Sequence, residues 1–476
     1  MKRLLSILLS AALVLSLFPL GVLADGTAIK VTTTASSPSR GDEVTFVASI
    51  EGNTGFNSIT NMCFEYDPSV LRYIEDTFTV EGGILNAGTV NSKVGLVSFA
   101  SAEPITATGS LFRATFRILR TATGNSFSVG VTYDKFRVST SGTEFADVNP
   151  TISPCSVTLK ASAGGFERIS GHSRTETAAD ISYELFSSAE NAILVDGNNF
   201  ADALAGVSLA YAMDAPILLV RNSKLDEATL DEIDRLGVKT VTILGGTTAI
   251  SQTVTDTLKN KGYAVNRISG YTRFDTAVQI AYALAKLKGA PSEVFFVVSN
   301  NFPDALAVSN VSALKGCPVL YIAKTGILDD ATKEFLTSCG ATKATIIGGT
   351  TAISEAAEAN IAEACGFDYD PEDPDAPVTR IFGRSRYDTC LAINEAYAEV
   401  LPGDALCVAT GTNFPDALAG GVFAASYRAP LLLVGTSLSD AQKTYLSQKK
   451  AAVIYVFGGT GAVSDNIAKA VVSASK

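Results

Sequence analysis

Two different patterns of hydrophobic and polar positions divide the chain near residue 160. In the first part, apolar and polar residues alternate strictly over short runs, most clearly at 44–50 and 111–118. Such alternation is typical of strands that bury one face. Runs of this kind between turn residues, without a helical period, predict an all-β sandwich over residues 26–160. The predicted strands are 28–33, 43–51, 59–66, 95–100, 109–119, 126–133 and 155–160.

The pattern changes after residues 161–165, a small-residue segment that predicts a flexible linker. From there on, short continuous apolar runs alternate with segments of helical period. Strands that are apolar on both faces are typical of a parallel sheet covered by helices on both sides. In the first such stretch we expect strands at 192–195, 216–220 and 239–244, and helices at 175–189, 201–213, 226–236 and 250–260.

This α/β order occurs three times, and each copy opens on an Arg-Ile pair led by Arg168, Arg267 or Arg380. The leading arginines are roughly a hundred residues apart, which is the length of a small domain and not of a solenoid repeat. The predicted limits are 166–263 for repeat 1, 264–376 for repeat 2 and 377–476 for repeat 3. Three tandem copies favour a multivalent binding protein over an enzyme.

Recurrent polar residues follow the predicted strands of every repeat. They are an arginine at the start of the first helix, an asparagine and an aspartate after the second strand, and a Gly-Gly-Thr segment after a later strand. The residues are Arg174, Arg273 and Arg386; Asn199, Asn301 and Asn413; Asp202, Asp304 and Asp416; and Gly245, Gly348 and Gly458. All of them stand at carboxyl ends of parallel strands, the edge where open α/β sheets usually bind ligands.

The residue types leave two roles open for these arginines. They could bind a carboxylate or phosphate of a ligand, or pair with the recurrent aspartates. Each aspartate precedes an Ala-Leu-Ala helix, which favours helix capping. The Gly-Gly-Thr segments match neither the Gly-x-Gly-x-x-Gly nor the Gly-Lys-Ser/Thr motif, so they favour tight strand-to-helix turns over phosphate binding. No nucleotide or other cofactor is therefore predicted.

The amino terminus carries the pattern of an export signal. Lys2 and Arg3 precede an apolar stretch at 4–20, and Ala24 stands at a small-residue cleavage site, so we predict a signal peptide at 1–24; the alternative is a retained anchor. No later apolar run is long enough to span a membrane. The formal net charge is −11, with most of the excess acid in the repeats, which argues against nucleic acid as a partner.

Catalytic and metal-binding patterns are not found in this sequence. His172 is the single histidine, which excludes multi-histidine metal sites, and no standard catalytic motif occurs. We therefore predict no catalytic residue and no metal site. The seven cysteines do not recur with the repeats, which favours buried free thiols over a disulfide framework and would suit an anaerobic habitat.

The strings Arg-Ile-x-Gly-x-x-Arg-x-Glu/Asp-Thr, Asn-Phe-x-Asp-Ala-Leu-Ala and Gly-Gly-Thr-x-Ala-Ile/Val-Ser resemble the type-2 cell-wall-binding repeat of surface proteins from anaerobic Gram-positive bacteria. The resemblance implies Rossmann-like domains that associate as an intrachain trimer around a pseudo-threefold axis. It also implies non-covalent attachment to an anionic secondary polymer of the cell wall, with Arg174, Arg273 and Arg386 as the polymer contacts. Repeat 2 departs from the pattern at Val308, where the others have Gly206 and Gly420.

The segment 64–71, Phe-Glu-Tyr-Asp-Pro-Ser-Val-Leu, and the strand at 109–118 are similar to those of cohesin domains. This resemblance implies a jelly-roll sandwich that binds a dockerin-bearing protein or a carbohydrate. Taken together, the sequence predicts a secreted, non-catalytic protein that is held at the cell wall by its repeats. Two alternatives remain: an adhesin or spacer with no dockerin partner, and a cell-wall hydrolase.

Overall fold

The computed structural model describes residues 26–85, 88–141, 143–161, 165–200, 202–370, 372–373 and 375–476. The chain divides into two compact units between Lys160 and Ala161. The predicted signal peptide lies outside the described residues, as does most of the predicted linker. Within the described ranges, no helix has the length and apolar character that crossing a membrane requires.

The first unit is built from β-strands. They are β1 (Ala28–Thr33), β2 (Glu43–Glu51), β3 (Phe56–Glu65), β4 (Leu71–Tyr73), β5 (Thr79–Val80), β6 (Thr89–Asn91), β7 (Leu96–Ile105), β8 (Gly109–Ile118), β9 (Ser126–Thr132), β10 (Lys135–Ser141), β11 (Glu144–Asp147), β12 (Thr151–Ser153) and β13 (Cys155–Thr158). Strands β1 and β2 have the predicted bounds. The short strands β4–β6 and β10–β12 were not predicted, because their residues are mostly half-buried or exposed and show no clear alternation.

These strands form two sheets, ordered β12-β1-β2-β8-β4 and β11-β10-β3-β7-β6, with β5 added to the first and β9 and β13 to the second. Phenylalanine rings from both sheets meet in the core. The ring centroid of Phe64 in β3 lies 6.4 Å from that of Phe46 in β2 and 5.0 Å from that of Phe112 in β8. All three side chains are buried. The predicted sandwich is therefore confirmed as a two-sheet structure whose aromatic core is supplied by the alternating positions.

The second unit contains the repeated α/β elements. Repeat 1 has β14 (Glu167–Ile169), α1 (Arg174–Leu185), β15 (Asn191–Asp196), α2 (Gly206–Ala212), β16 (Ile217–Val220), α3 (Glu227–Leu236), β17 (Thr240–Leu244) and α4 (Gln252–Asn260). Repeat 2 has β18 (Ala264–Ile268), α5 (Arg273–Lys288), β19 (Glu293–Val298), α6 (Pro303–Lys315), β20 (Val319–Ile322), α7 (Asp330–Cys339), β21 (Lys343–Ile347) and α8 (Ala356–Cys365). Repeat 3 has β22 (Val378–Ile381), α9 (Arg386–Ala396), β23 (Ala405–Thr410), α10 (Pro415–Ser426), β24 (Leu431–Val434), α11 (Asp440–Lys449), β25 (Val453–Phe457) and α12 (Asp465–Ala474).

Each repeat completes its sheet with the first strand of another repeat. Among the described residues the sheets are four-stranded and parallel, ordered β16-β15-β17-β18, β20-β19-β21-β22 and β24-β23-β25-β14. Repeat 1 thus takes β18 from repeat 2, and repeat 2 takes β22 from repeat 3. Repeat 3 takes β14 from repeat 1, which closes the series. Each sheet therefore includes one strand that lies beyond the limits of its sequence repeat. The names repeat 1, repeat 2 and repeat 3 refer to the sequence repeats.

The leading arginines hold these shared strands in place. Each donates a hydrogen bond to the carbonyl of the first glycine in the Gly-Gly-Thr segment of the sheet that its strand joins: Arg267 to Gly245 at 2.7 Å and Arg380 to Gly348 at 2.9 Å. Arg168 does the same to Gly458 at 2.7 Å, across 290 residues of sequence, and also binds Asp465 at 2.9 Å. The arginine that opens every repeat therefore stabilises the exchange of strands.

Helices α2, α6 and α10 pack against one another, so all three repeats meet there. Gly421 of α10 lies between the other two helices: a Cβ added to it would stand 2.8 Å from Ser309 Oγ and 3.0 Å from Val207 Cγ1. These three residues occupy the same position of their respective repeats. Valine, serine and glycine at equivalent positions share the buried space where the helices cross.

The departure of repeat 2 at Val308 has a packing explanation. A Cβ on Gly206 would stand 2.4 Å from Leu244 Cδ1, and a Cβ on Gly420 would stand 2.3 Å from the ring of Phe457. The residue at the equivalent strand end of repeat 2 is Ile347. Glycine is thus found where the facing strand ends in leucine or phenylalanine, and valine where it ends in the β-branched isoleucine, as close packing requires.

The seven cysteines are all described and all carry free thiols. Four are buried, and Cys63, Cys155 and Cys365 are half-buried, so the expectation of fully buried thiols is correct only for the four. Burial raises the pKa of the Cys365 and Cys390 thiols to about 12. Both groups are therefore uncharged at neutral pH, which makes them poor nucleophiles.

Candidate ligand site at the junctions between repeats

The helix that carries each candidate arginine begins with the same local structure. Ser173, Thr272 and Ser385 are the N-caps of α1, α5 and α9, and each side chain accepts a hydrogen bond from the backbone of the acidic residue three positions on. The preceding glycine has no room for a side chain. A Cβ on Gly171, for example, would stand 2.2 Å from Glu176 Cβ. Most of the Arg-Ile-x-Gly-x-x-Arg-x-Glu/Asp-Thr string is thus explained by capping and close packing.

Arg174, Arg273 and Arg386 each occupy the first position of their helix and are half-buried. Each donates to the backbone carbonyl that follows the central strand of its own repeat. Arg273 Nη1 lies 2.6 Å from the oxygen of Ser299, and Arg386 Nη1 lies 2.6 Å from that of Gly411. Arg174 binds Gly197 in the same way and contacts Asn198 Oδ1 at 3.3 Å. This bond fixes one edge of the guanidinium against the carboxyl edge of the sheet.

The aspartate that faces each arginine comes from the preceding repeat. Arg273 opposes the rise in the pKa of Asp202, Arg386 that of Asp304, and Arg174 that of Asp416. The helix contacts agree, since α5 packs on α2, α9 on α6 and α1 on α10. The sequence did not show which aspartate each arginine faces, and the structure places each arginine at the junction with another repeat.

The aspartates are not helix caps, contrary to expectation. Asp304 and Asp416 lie within the first turn of α6 and α10, after a proline at the first position, and the N-cap residues Phe302 and Phe414 make no side-chain cap hydrogen bond. Asp202 precedes α2, which begins at Gly206 and not at 201. Pro303 and Pro415 have a backbone angle suited to a helix start, and repeat 1 has no proline at that position.

Each aspartate instead lies against the first glycine of its own Gly-Gly-Thr segment. A Cβ on Gly348 would stand 3.0 Å from Asp304 Oδ2, and one on Gly458 would stand 2.2 Å from Asp416 Oδ2. Both glycines have positive φ, at 127° and 93°. These segments are tight turns, as predicted, and the helix after each turn begins several residues later at Gln252, Ala356 or Asp465.

Burial raises the pKa of all three aspartates, and that of Asp304 reaches about 6 although Arg386 opposes the rise. A carboxyl group whose pKa is higher in the folded state than in the unfolded chain binds its proton more tightly after folding. The free energy of unfolding should therefore fall as the pH rises from about 4 to 6.

We expect Asp304→Asn to flatten this decline. A shift of this size, reduced for partial exposure to solvent, corresponds to about 1–2 kcal/mol. The measurement is the free energy of unfolding from urea denaturation at pH values between 4 and 7, for wild type and variant. Asp440→Asn serves as control, because the Asp440 carboxyl is solvent-exposed and Lys443 lowers its pKa. Parallel curves for wild type and Asp304→Asn would contradict the assignment.

Three phenylalanines, one from each Asn-Phe segment, meet beside these arginines and aspartates. The ring centroids of Phe200, Phe302 and Phe414 are 5.7, 6.0 and 6.2 Å apart. The guanidinium of Arg273 lies over Phe200 and that of Arg386 over Phe302, each 5.8 Å from the ring centroid. The Phe triangle (Phe200, Phe302 and Phe414) therefore joins the three junctions at the carboxyl edges of the sheets.

A cavity of about 250 Å³ opens at the junction of repeat 3 with repeat 1. Repeat 1 contributes residues 171–174 and Thr177 to its wall. Repeat 3 contributes Asn413, Asp416 and two glycines of its Gly-Gly-Thr-Gly turn, Gly459 and Gly461. Arg174 and Asp416, which are far apart in sequence, thus line one cavity. It offers a cation, a carboxylate and an amide to a ligand.

The structure therefore brings together the predicted arginines and aspartates, but in pairs that cross the repeats. Asn199, Asn301 and Asn413 lie in the same loops with exposed side chains, and Asn301 and Asn413 accept a hydrogen bond from the next backbone N–H at 3.0 Å. Sequence reasoning did not assign His172 or the Phe triangle to the site. The recurrence of phenylalanine after each asparagine was the available signal for the triangle.

The repeated part of the chain matches a known protein family. The family model described as cell wall binding domain 2 matches three times, at residues 168–255, 267–358 and 380–468. N-acetylmuramoyl-L-alanine amidase LytC of Bacillus subtilis is 31% identical over 303 residues, which cover 63% of this chain and 57% of the amidase. The amidase enhancer of the same organism is 29% identical over 303 residues, which cover 63% of this chain and 39% of the enhancer. The chain thus spans about half the length of these relatives or less.

Two solved structures share the fold over most of the chain. Cwp6 from Clostridium difficile has a TM-score of 0.61 at 19% identity, covering 94% of this chain and 68% of Cwp6. Cwp8 from the same organism has a TM-score of 0.58 at 17% identity, covering 94% of this chain and 93% of Cwp8. The seventh ScaB type I cohesin from Pseudobacteroides cellulosolvens matches 29% of this chain and 94% of its own, with a TM-score of 0.23 and 18% identity.

Proposed function

Because this chain belongs to the cell wall binding domain 2 family, we propose that its three repeats attach it non-covalently to an anionic secondary polymer of the cell wall. The observation that carries the proposal is the threefold family match, with a half-buried arginine at every junction between repeats. Several weak contacts on one long polymer give firm attachment through effective concentration. The surface that the polymer meets is the carboxyl edge of the three sheets.

The repeats form, in this proposal, an intrachain pseudo-threefold trimer of Rossmann-like domains. Three features support it: the cyclic exchange of β14, β18 and β22, the mutual packing of α2, α6 and α10, and the Phe triangle. Three is the number of repeats at which the exchange closes on itself. A closed ring of this kind would hold the junctions at fixed spacing, which multivalent binding requires.

The N-terminal sandwich is, in the same proposal, displayed at the surface of a Gram-positive anaerobe to bind a dockerin-bearing protein or a carbohydrate.

We propose no catalytic role for the chain. This proposal is supported by the position of the sequence shared with LytC and the amidase enhancer, because the shared sequence covers only the repeat region of this chain. A zymogram that shows wall-degrading activity of the purified chain would overturn this part of the proposal.

Wall attachment is tested by co-sedimentation of the full chain with protein-free cell walls. We expect it to pellet with untreated walls and to stay in solution after the anionic polymer has been removed by acid extraction. Attachment through arginine should also weaken as the salt concentration rises. Equal binding to extracted and untreated walls would reject the anionic polymer as the ligand.

A further inference from the structure

The three junctions differ at one position of the turn that follows the third strand of each sheet. Repeats 1 and 2 read Gly-Gly-Thr-Thr, with Thr248 and Thr351 at the fourth position, whereas repeat 3 reads Gly-Gly-Thr-Gly with Gly461 there. A Cβ on Gly459 or Gly461 would meet no atom within 4 Å. The turn of repeat 3 therefore faces open space, and this space is the cavity at the junction with repeat 1.

The junction of repeat 2 with repeat 3 is covered at the corresponding place. A Cβ on Gly349 would stand 3.2 Å from Cδ2 of Phe382, whose side chain is 54% exposed. Repeats 1 and 2 have Ser170 and Ser269 where repeat 3 has Phe382. The phenyl ring of Phe382 therefore covers the turn of repeat 2. The smaller Ser170 stands at the equivalent position beside the turn of repeat 3 and leaves that space open.

The polar groups of the open junction suit a sugar that carries one acidic group. Arg174 supplies the cation, and its Nη1 alone is bound to Gly197 and Asn198, which leaves other N–H groups of the guanidinium. Asp416 and Asn413 offer acceptors for sugar hydroxyl groups. A volume of about 250 Å³ is slightly below the range of pockets that hold drug-sized ligands, so it fits a single sugar residue of a polymer.

We propose that the junction between repeat 3 and repeat 1 is the principal binding site, and that it holds one acidic sugar residue between Arg174, Asn413 and Asp416. The proposal rests on the wall attachment proposed above and adds the inequivalence of the three junctions. Gly461 is the residue that determines this inequivalence, because a threonine side chain at this position would extend into the open space of the cavity.

His172, the single histidine, lines this cavity and is exposed, so its ring gives one unique NMR signal from the site. The full chain is titrated at fixed pH with glucose 1-phosphate, glucuronate and glucose. Saturable shifts with the acidic sugars, absent with glucose, are expected; the stronger of the two identifies the acidic group as phosphate or carboxylate. No saturable shift with either acidic sugar would overturn the proposal.

The key variant is Gly461→Thr, which places the residue of the other repeats where space is open. It should abolish the sugar-induced shift of His172 and weaken sedimentation with walls at least tenfold. Thr351→Gly is the matched control and should leave wall binding unchanged, because Phe382 still covers that junction. Unchanged binding by Gly461→Thr would overturn the site, while the wild type would still support wall attachment. A wild type that binds acidic sugars but no walls would instead reject the attachment and keep the site.

Discussion

Replacing Gly421 by valine is expected to lower the free energy of unfolding of the repeats by about 2–3 kcal/mol, since overpacking a buried helix crossing has a cost of this order. The added side chain would meet Ser309 of α6 and Val207 of α2, which are already within 3.0 Å of the Cβ position. Because the three helices belong to three repeats, the strain cannot be relieved by moving one repeat alone. Chemical denaturation followed by circular dichroism measures the loss.

A compensating change tests whether the three positions share one space. Val207→Gly removes from α2 the volume that Gly421→Val adds to α10, although glycine itself destabilises a helix by about 1 kcal/mol. The double variant should therefore lose less stability than the sum of the two single variants, by about 1 kcal/mol or more. Strict additivity would show that the helices do not meet as described, and the closed arrangement of the repeats would lose its main support.

The elements of both units were largely predictable from local pattern. Strands β1 and β2 alternate cleanly because one face is buried, and their bounds follow from that period. The central strands β15, β19 and β23 are buried on both faces and appear as continuous apolar runs. Where the pattern failed, as at β10–β12, most residues are half-buried or exposed and carry little hydrophobic signal; β11 and β12 are also edge strands.

The exchange of strands between repeats could not be predicted in the same way. A repeat unit in the sequence begins at its most recurrent string, and here that string starts on the strand that joins the preceding sheet. Nothing local in residues 264–268 shows whether they pair with β17 or with β19. The parallel pairing of β18 with β17, and the hydrogen bond of Arg267 to the Gly245 carbonyl beside it, become visible only once both strands are placed in space.

The candidate site was predictable as an edge but not as a set of partners. Parallel topology places Arg273, Asn301 and Asp304 at carboxyl ends, and this is correct. The guanidinium of Arg273, however, faces Asp202 of repeat 1 and the ring of Phe200. Facing an aspartate and binding a ligand are therefore not exclusive alternatives for these arginines. Each is already fixed by a carbonyl and balanced by an aspartate, and a ligand must use its remaining N–H groups.

The larger functional effect is expected from replacing all three junction arginines, Arg174, Arg273 and Arg386, by lysine. Lysine keeps the positive charge opposite each aspartate and can still donate to the carbonyl that the arginine binds, so the fold should be retained. It cannot present the planar fork that binds an acidic group with two parallel hydrogen bonds. Loss of a hydrogen bond to a charged group, about 1.5–3 kcal/mol, corresponds to an affinity lower by about tenfold to a hundredfold.

The most direct test of the account is the affinity of this triple lysine variant for untreated cell walls, measured by co-sedimentation across a range of wall concentrations. The matched control carries Arg113→Lys, Arg117→Lys and Arg137→Lys, which change surface arginines paired with Glu81, Glu43 and Asp147 in the sandwich. The junction variant is expected to lose at least about tenfold in affinity, while the control is expected to bind like the wild type. Equal affinity of all three proteins, with unchanged thermal unfolding, would show that the arginines bind only their neighbouring aspartates and carbonyls.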